Sequence, residues 1–270
     1  MNDRNFGFIG AGFMAEAVLR GILKGQVFPT QTIVAADVAE TRRRAFAALG
    51  VETTADALEI VRTCRVVLVA VKPQDLAGLL DRIGPKLTAE HFLLTVCAGC
   101  PTGQFEDSTP ADVRVVRVMP NLPLSVGIGA TALCTGKHAT PSDLDLAKRI
   151  FGAAGAVVVV DESAMDAVTA VSGSGPAYVY LLAEAMIEAG LSEGLSADTA
   201  RTLAVQTIRG AAQVMAVDEA SPAELRKRVT SKGGTTEAAF RVLAEGNAHE
   251  TLVRAIRAAA ARSRELGNAR

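Results

Sequence analysis

Charge of one sign is what this sequence most lacks: 28 Lys and Arg stand against 29 Asp and Glu in 270 residues, a formal net charge of −1. Such a balance supplies no field to draw in nucleic acid or an anionic membrane surface. No apolar run approaches the roughly 18 residues of a membrane span, and MNDRNFGFIG runs straight into a strand pattern where a signal peptide would be basic and then apolar. These absences lead to the expectation of a cytoplasmic protein with neither a nucleic-acid nor a membrane partner. The only histidines, His91, His138 and His249, lie outside every motif below, so none is expected to be catalytic. Cys97-Ala98-Gly99-Cys100 has the CxxC spacing of redox and zinc sites, but no second CxxC or His pair completes a tetrahedral site. The pair reads as two small residues at a strand end, and no metal is expected.

A chain of this length exceeds what one small core needs, so two domains are expected. Phe6 to Ala15, FGFIGAGFMA, runs an apolar strand into Gly10-x-Gly12-x-x-Ala15 and then into the helical pattern EAVLRGILKG, ending at Gly25. Gly10 suits a tight turn, Gly12 lets backbone approach a pyrophosphate, and Ala15 is small enough for close helix–strand packing. That context implies dinucleotide binding. Further strands are read at 32–36 (ending at Asp37), 66–71, 92–96, 113–118, 130–134 and 156–160, with helices at 40–49 and 141–151. The alternation is that of a doubly wound, mostly parallel sheet. After Asp161 the strands stop. Residues 177–189, 197–217, 222–228, 236–244 and 249–266 read as helices rich in Ala and poor in aromatics, which puts the boundary at residues 1–162 and 163–270. The helix at 197–217 spreads Ala, Leu, Val, Ile and Met over more than one face, so at least a dimer is expected.

Two motifs mark the helical half. Ser172 to Tyr178, SGSGPAY, fits a helix–helix turn with Pro176 in the first turn of the second helix. Val229 to Thr236, VTSKGGTT, sets Gly233 and Gly234 before another helix, where successive N–H groups and the helix terminus can converge on an anion. It fits a carboxylate or phosphate cradle, and equally an ordinary turn before a helix.

Taken together, FIGAGFMA, Ala70 to Gln74 (AVKPQ), Met119 to Pro123 (MPNLP), SGSGPAY and VTSKGGTT resemble pyrroline-5-carboxylate reductase in order and spacing along the whole chain. The resemblance implies an N-terminal Rossmann domain, an all-helical C-terminal dimerisation domain, and reduction of the cyclic imine to L-proline by NADPH or NADH. It assigns the dinucleotide to Ile9, Gly10, Ala11, Gly12, Phe13 and Met14, to Asp37, to Ala70, Val71, Lys72 and Pro73, to Val96, Cys97 and Ala98, and to Asn121. Leu122 follows Asn121 where the family commonly has Thr, which implies a less polar nicotinamide pocket. Substrate falls to Val229, Ser231, Gly234 and Thr235 at the carboxylate, with Thr236 at the ring nitrogen as the catalytic residue. Glu162 matches a position near the substrate amine; by itself it reads as a solvated loop carboxylate.

An iminium carbon already accepts hydride well, so positioning and one hydrogen-bonding group near nitrogen suffice. Lys72 reads as a ribose contact in preference to a base. A β-hydroxyacid dehydrogenase is the nearest rival, but that family uses an interdomain lysine, and no lysine stands between Lys148 and Lys227. A non-catalytic dinucleotide sensor is the other, and it has no need of VTSKGGTT. As to cofactor, Asp37 ends the second strand where relatives often carry Ser or Asn, and Ala57 replaces an Asn near the phosphate. A carboxylate there can accept from ribose hydroxyls and repel a 2′-phosphate, while Arg42, Arg43 and Arg44 form either a phosphate grip or a solvated basic face. NADH is expected to serve at least comparably to NADPH.

Overall fold

The computed structural model describes residues 5–110 and 112–268, so the extreme ends of the two expected domains and residue 111 lie outside it. The first compact unit holds residues 1–173 with 259–270, and the second holds 174–258. In the first, β1 (Phe6–Ile9), α1 (Phe13–Lys24), β2 (Ile33–Ala36), α2 (Glu40–Ala47), β3 (Glu52–Thr54), α3 (Ala57–Thr63), β4 (Val66–Val69), α4 (Pro73–Ile83), β5 (Phe92–Thr95), α5 (Thr102–Glu106) and β6 (Arg114–Pro120) alternate almost strictly. β7 (Gly129–Thr135), α6 (Pro141–Gly152), β8 (Gly155–Val159) and the short α7 (Met165–Val168) complete it.

The eight strands form one sheet in the order β3-β2-β1-β4-β5-β6-β7-β8. All neighbours pair parallel except β6 and β7. This is the Rossmann arrangement, and its central strands are apolar because helices cover both faces. Side chains of a strand alternate between faces. Phe6, Phe8, Leu68 and Leu94 share one core with α1, α2 and α6 through Leu19, Ile22, Phe46, Ile150 and Phe151. Val67, Val69 and Leu93 face the other core, with Ile60 of α3 and Leu76, Leu80 and Ile83 of α4.

The order reverses between β1 and β4, since the chain builds outward from β1 to β3 and then returns to β4. Ligand crevices of such sheets open there, beyond the carboxyl ends of the strands.

The second unit contains α8 (Gly175–Ser192), α9 (Ala197–Val217), α10 (Pro222–Arg228), α11 (Thr235–Glu245) and the first part of α12 (Ala248–Asn268). Gly190 lets α8 and α9 approach closely, because a Cβ there would stand 3.1 Å from the Ala200 methyl. α10 opens on a capping box, in which the Glu224 amide donates to Ser221 Oγ (3.3 Å) and the Ser221 amide donates to the Glu224 carboxylate (2.8 Å). No residue of α8 is buried in the single chain, and Tyr180, Leu181, Leu182, Leu203, Val205 and Met215 lie exposed on α8 and α9. Apolar area on this scale marks an interaction surface. Among the described residues no helix is long and apolar enough to cross a membrane.

The strand expected over 66–71 stops at Val69, because the chain turns out of the sheet after Ala70 donates to Ile9 O (2.8 Å). The helix expected to Leu49 ends at Ala47 in a turn closed by Leu49 N–H to Phe46 O. β3 and α3 to α5 are additional to the elements read from sequence. β3 has three residues, none of them apolar and none buried, at the sheet edge, so period and hydrophobicity give it no signal.

Phe8 is fully buried and meets the Phe6 and Phe46 rings edge-on at 5.0 and 5.5 Å. Phe8→Ala is expected to lower unfolding free energy by about 3–5 kcal/mol, the usual cost of such a cavity. Denaturant titration followed by circular dichroism checks this, and a loss below about 1 kcal/mol would contradict the central place given to β1.

Candidate active site

The turn after β1 is built by contact. Gly10 has φ +94°, and a Cβ there would stand 2.6 Å from Ala70 O. Only glycine permits both the left-handed backbone and the approach of the β4 exit. Gly10 N–H donates to Ala36 O (2.8 Å) and Ala70 N–H to Ile9 O (2.8 Å), so the ends of β2, β1 and β4 are laced side by side. Ala15 is fully buried beneath the loop. A Cβ on Gly12 would meet nothing within 4 Å; it would project into open space, as expected where a ligand must approach the backbone.

A cleft of about 760 Å³ opens over this junction, lined among others by Ile9, Gly10, Gly12, Phe13, Asp37, Ala70, Val71 and Lys72. The expected dinucleotide residues at the carboxyl ends of β1, β2 and β4 therefore converge. Ala11 is buried and contributes its N–H, which donates to Asp37 Oδ2 (2.7 Å). Met14 packs toward the core, and Pro73 opens α4. The donor set, cavity size and glycine backbone fit a dinucleotide.

Asp37 also accepts from Ala39 N–H at Oδ1 (2.8 Å). Arg42 Nε donates to Ala11 O (2.6 Å) and its terminal nitrogen pairs with Glu16 at 3.0 Å. Arg43 donates to the carbonyls of Asp37 (2.7 Å) and Val38 (2.9 Å), and Arg44 pairs with Glu40.

Beyond β5, Val96 packs against the core and donates its N–H to Val69 O (3.1 Å), while Cys97 is buried with its thiol toward Val71 O (3.3 Å). The hydrogen bond with Cys100, together with burial, holds the Cys97 thiol far above its ordinary value. Burial and then the Glu162 charge push the Cys134 thiol up to about 12. Neither is a thiolate near neutral pH, so neither supplies a nucleophile. The last turns of α12 touch this loop, with Leu266 Cβ 3.6 Å from the Cβ position of Gly99, and Ser263 is buried and donates to Asp166 (2.6 Å). No local motif announces that contact.

Asn121 is held at both ends of its amide: Nδ2 donates to Ser172 Oγ (3.3 Å) and Oδ1 accepts from Ala130 N–H (2.8 Å). It ties the MPNLP turn to the start of SGSGPAY. Glu162 accepts from Thr102 N–H (2.8 Å) and Thr102 Oγ1 (2.7 Å), and pairs with Arg117 at 3.3 Å. Arg117 is a buried cation with 9% of its side chain exposed; Glu162 keeps 33%. Arg117 has no signature in the sequence, being an arginine inside an apolar strand.

In the second unit, Arg228 pairs with Asp218 at the end of α9 (2.6 Å), and Arg226 lies 5.2 Å over the Phe240 ring, fixing α10 against α11. The VTSKGGTT loop is strung between them. Gly233 has φ +71°, and a Cβ on Gly234 would collide with Ser231 Oγ. Gly234 N–H donates to Ser231 O (3.0 Å), and Gly233 N–H donates to the Glu237 carboxylate (2.7 Å). Gly234 is the N-cap of α11 and has no side-chain cap, so the first-turn N–H groups at Thr235 and Thr236 have no partner inside the helix. The loop thus presents anion-seeking donors and already engages one carboxylate of its own. Thr235 is exposed and Thr236 half-buried; Val229 and Ser231 are exposed at the loop.

The family described as "Pyrroline-5-carboxylate reductase dimerisation" matches residues 162–266, and that described as "NADP oxidoreductase coenzyme F420-dependent" matches residues 5–99. A pyrroline-5-carboxylate reductase of Methanosarcina acetivorans is 40% identical over 99% of each chain. One from Pisum sativum is 40% identical over 96% of this chain and 95% of its own. Among solved structures, Plasmodium falciparum pyrroline carboxylate reductase with NADP bound superposes with a TM-score of 0.89 at 29% identity over 99% of both chains. The Coxiella burnetii pyrroline-5-carboxylate reductase gives 0.88 at 35% identity, over 98% of this chain and 99% of its own.

The geometry makes Glu162 a structural partner of Arg117 and Thr102, whatever else it touches. Removing one member of a buried ion pair costs about 3–5 kcal/mol; because Glu162 is a third exposed, Glu162→Ala is expected to cost about 2–3. Thermal and denaturant unfolding measure it, and unchanged stability would leave the carboxylate with a substrate role only.

Proposed function

The chain belongs to the pyrroline-5-carboxylate reductase family and is an NAD(P)H-dependent oxidoreductase of that family; on that premise we propose how its residues divide the reduction of 1-pyrroline-5-carboxylate to L-proline. The observation that carries the reading is the pairing, in one chain, of a glycine-built dinucleotide crevice with a glycine-built carboxylate cradle. A dinucleotide sensor has no use for the second, and the dehydrogenase rival needs a lysine this chain lacks. Residues 1–162 serve the dinucleotide and 163–270 serve substrate and assembly, in keeping with a dimerisation match that begins at residue 162. The exposed apolar faces of α8 and α9 and the same match support a homo-oligomer of at least two chains. The near-neutral charge balance supports a protein without nucleic-acid partners.

Bound in the crevice, the dihydronicotinamide supplies the hydride that reduces the imine carbon. The N–H groups of Gly12 and of Phe13 and Met14 in the first turn of α1 would hold the pyrophosphate over the turn that Gly10 and Ala11 build, Asp37 would take the adenosine ribose, and Lys72 the second ribose. Val96, Cys97, Ala98 and Asn121 border the nicotinamide. The substrate carboxylate binds the N–H group of Thr235 with Gly234 and Ser231 beside it and Val229 against the ring. Thr236 gives its hydroxyl to the ring nitrogen. Because an iminium carbon is already electrophilic, no strong general acid is required, and the work of these groups is orientation. Glu162 is left with the exposed part of its carboxylate for the substrate amine.

Purified protein mixed with pyrroline-5-carboxylate and reduced dinucleotide should oxidise the nicotinamide and form proline. Thr236→Ala should lose about ten- to a hundredfold in kcat/KM, the ~1.5–3 kcal/mol of one hydrogen bond to a charged group, while dinucleotide Kd stays within twofold. Undiminished turnover in the variant would remove Thr236 from the reaction, and no turnover by the wild type would remove the reaction itself.

A further inference from the structure

We propose that Asp37 makes this chain select NADH over NADPH, a reading that rests on the dinucleotide crevice of the proposed function and adds its specificity. Asp37 follows β2 directly and lines the cleft one strand over from the Gly10 turn. Its two oxygens are fixed by the N–H groups of Ala11 and Ala39, each at 2.7 to 2.8 Å. A carboxylate oxygen has two acceptor positions, so each oxygen keeps one for a ribose hydroxyl. Held from both sides, the carboxylate cannot swing away from a 2′-phosphate. Two anions in contact at this point repel, whereas the diol of NADH supplies two donors that a carboxylate wants.

Rescue of a 2′-phosphate would need a cation turned to the ribose, and the basic groups nearby make other bonds. Arg42 is bonded to Ala11 O and to Glu16, a carboxylate it shares with Arg20, and these bonds fix where its guanidinium lies. Arg43 spends one guanidinium nitrogen on the Asp37 and Val38 carbonyls. Arg44 pairs with Glu40. Of the other basic residues lining the cleft, Arg82 lies 3.5 Å from Asp56, and Lys72 follows β4, two strands from β2. At the ~4.8 Å strand spacing that is roughly 10 Å away, the distance of the pyrophosphate side and not of the adenosine ribose. The residue after Asp37 is Val38, 87% exposed and uncharged, where a phosphate-binding site would place a donor.

The test is equilibrium binding of NADH and NADPH, read from nicotinamide fluorescence, with wild type, Asp37→Asn and Asp37→Ser. Wild type should bind NADH at least threefold more tightly than NADPH, and the ratio should fall at least threefold in each variant that keeps the wild-type circular dichroism. A wild-type ratio below threefold, or one favouring NADPH, overturns the proposal whether or not the variants fold. Folded variants that leave the ratio unchanged also overturn it, since the selectivity then lies elsewhere. Absence of imine reduction with either dinucleotide would count against the catalytic reading alone and leave the ratio of the two Kd values to decide this one.

Discussion

The closeness of Gly10 to the β4 exit is the constraint on which the dinucleotide half depends. With a side chain at Gly10, the Ala70 carbonyl would have to move, since a Cβ would sit 2.6 Å from it. That movement would unlace the bonds from Gly10 to Ala36 and from Ala70 to Ile9, and with them the alignment of three strand ends. Everything in the crevice is referred to those ends. Ala11 reaches Asp37 because the turn is this tight, Asp37 is fixed because Ala11 reaches it, and Lys72 is set apart because β4 is the next strand over.

The helical half solves a different problem with similar means. Its cradle is a loop between two short helices fixed to each other by Arg226 over Phe240; Gly233 supplies a left-handed backbone, and Gly234 the clearance beside Ser231 that a side chain would remove. A neutral or weakly polar site would gain little from such donors. A small anionic substrate gains most, because uncapped N–H groups at a helix start and a charged acceptor form hydrogen bonds about twice as strong as neutral ones. The Cys97 and Cys134 thiols are held protonated, and the histidines stand outside the crevice and the cradle. What remains is a site that orients and polarises, which is all that hydride reduction of an imine asks.

Much of this was legible in the sequence where the physical signal is local. The helices at 197–217 and 222–228 begin and end as read, and Ser196 and Ser221 cap their starts. β1, β4 and β5 announce themselves as apolar runs covered on both faces. α4 carries an equally local signal, with Leu76, Leu79, Leu80 and Ile83 at helical spacing behind Pro73. Other features are written only in three dimensions. The pairing of Arg117 with Glu162 joins residues 45 apart in sequence, and Ser263 meets Asp166 across 97. The commitment of Arg42 to Glu16 is of the same kind: three successive arginines look like a phosphate grip until their partners are seen.

The central claim is that the crevice and the cradle serve one reaction, in which hydrogen passes from the dihydronicotinamide to the imine carbon. The most direct measurement is transfer of label: the protein is incubated with pyrroline-5-carboxylate and NADH carrying two deuterium atoms at C4, and the product is examined by mass spectrometry and NMR. The account predicts L-proline bearing one deuterium at the ring carbon next to nitrogen and away from the carboxylate. Unlabelled proline, or deuterium lost to water, would contradict it.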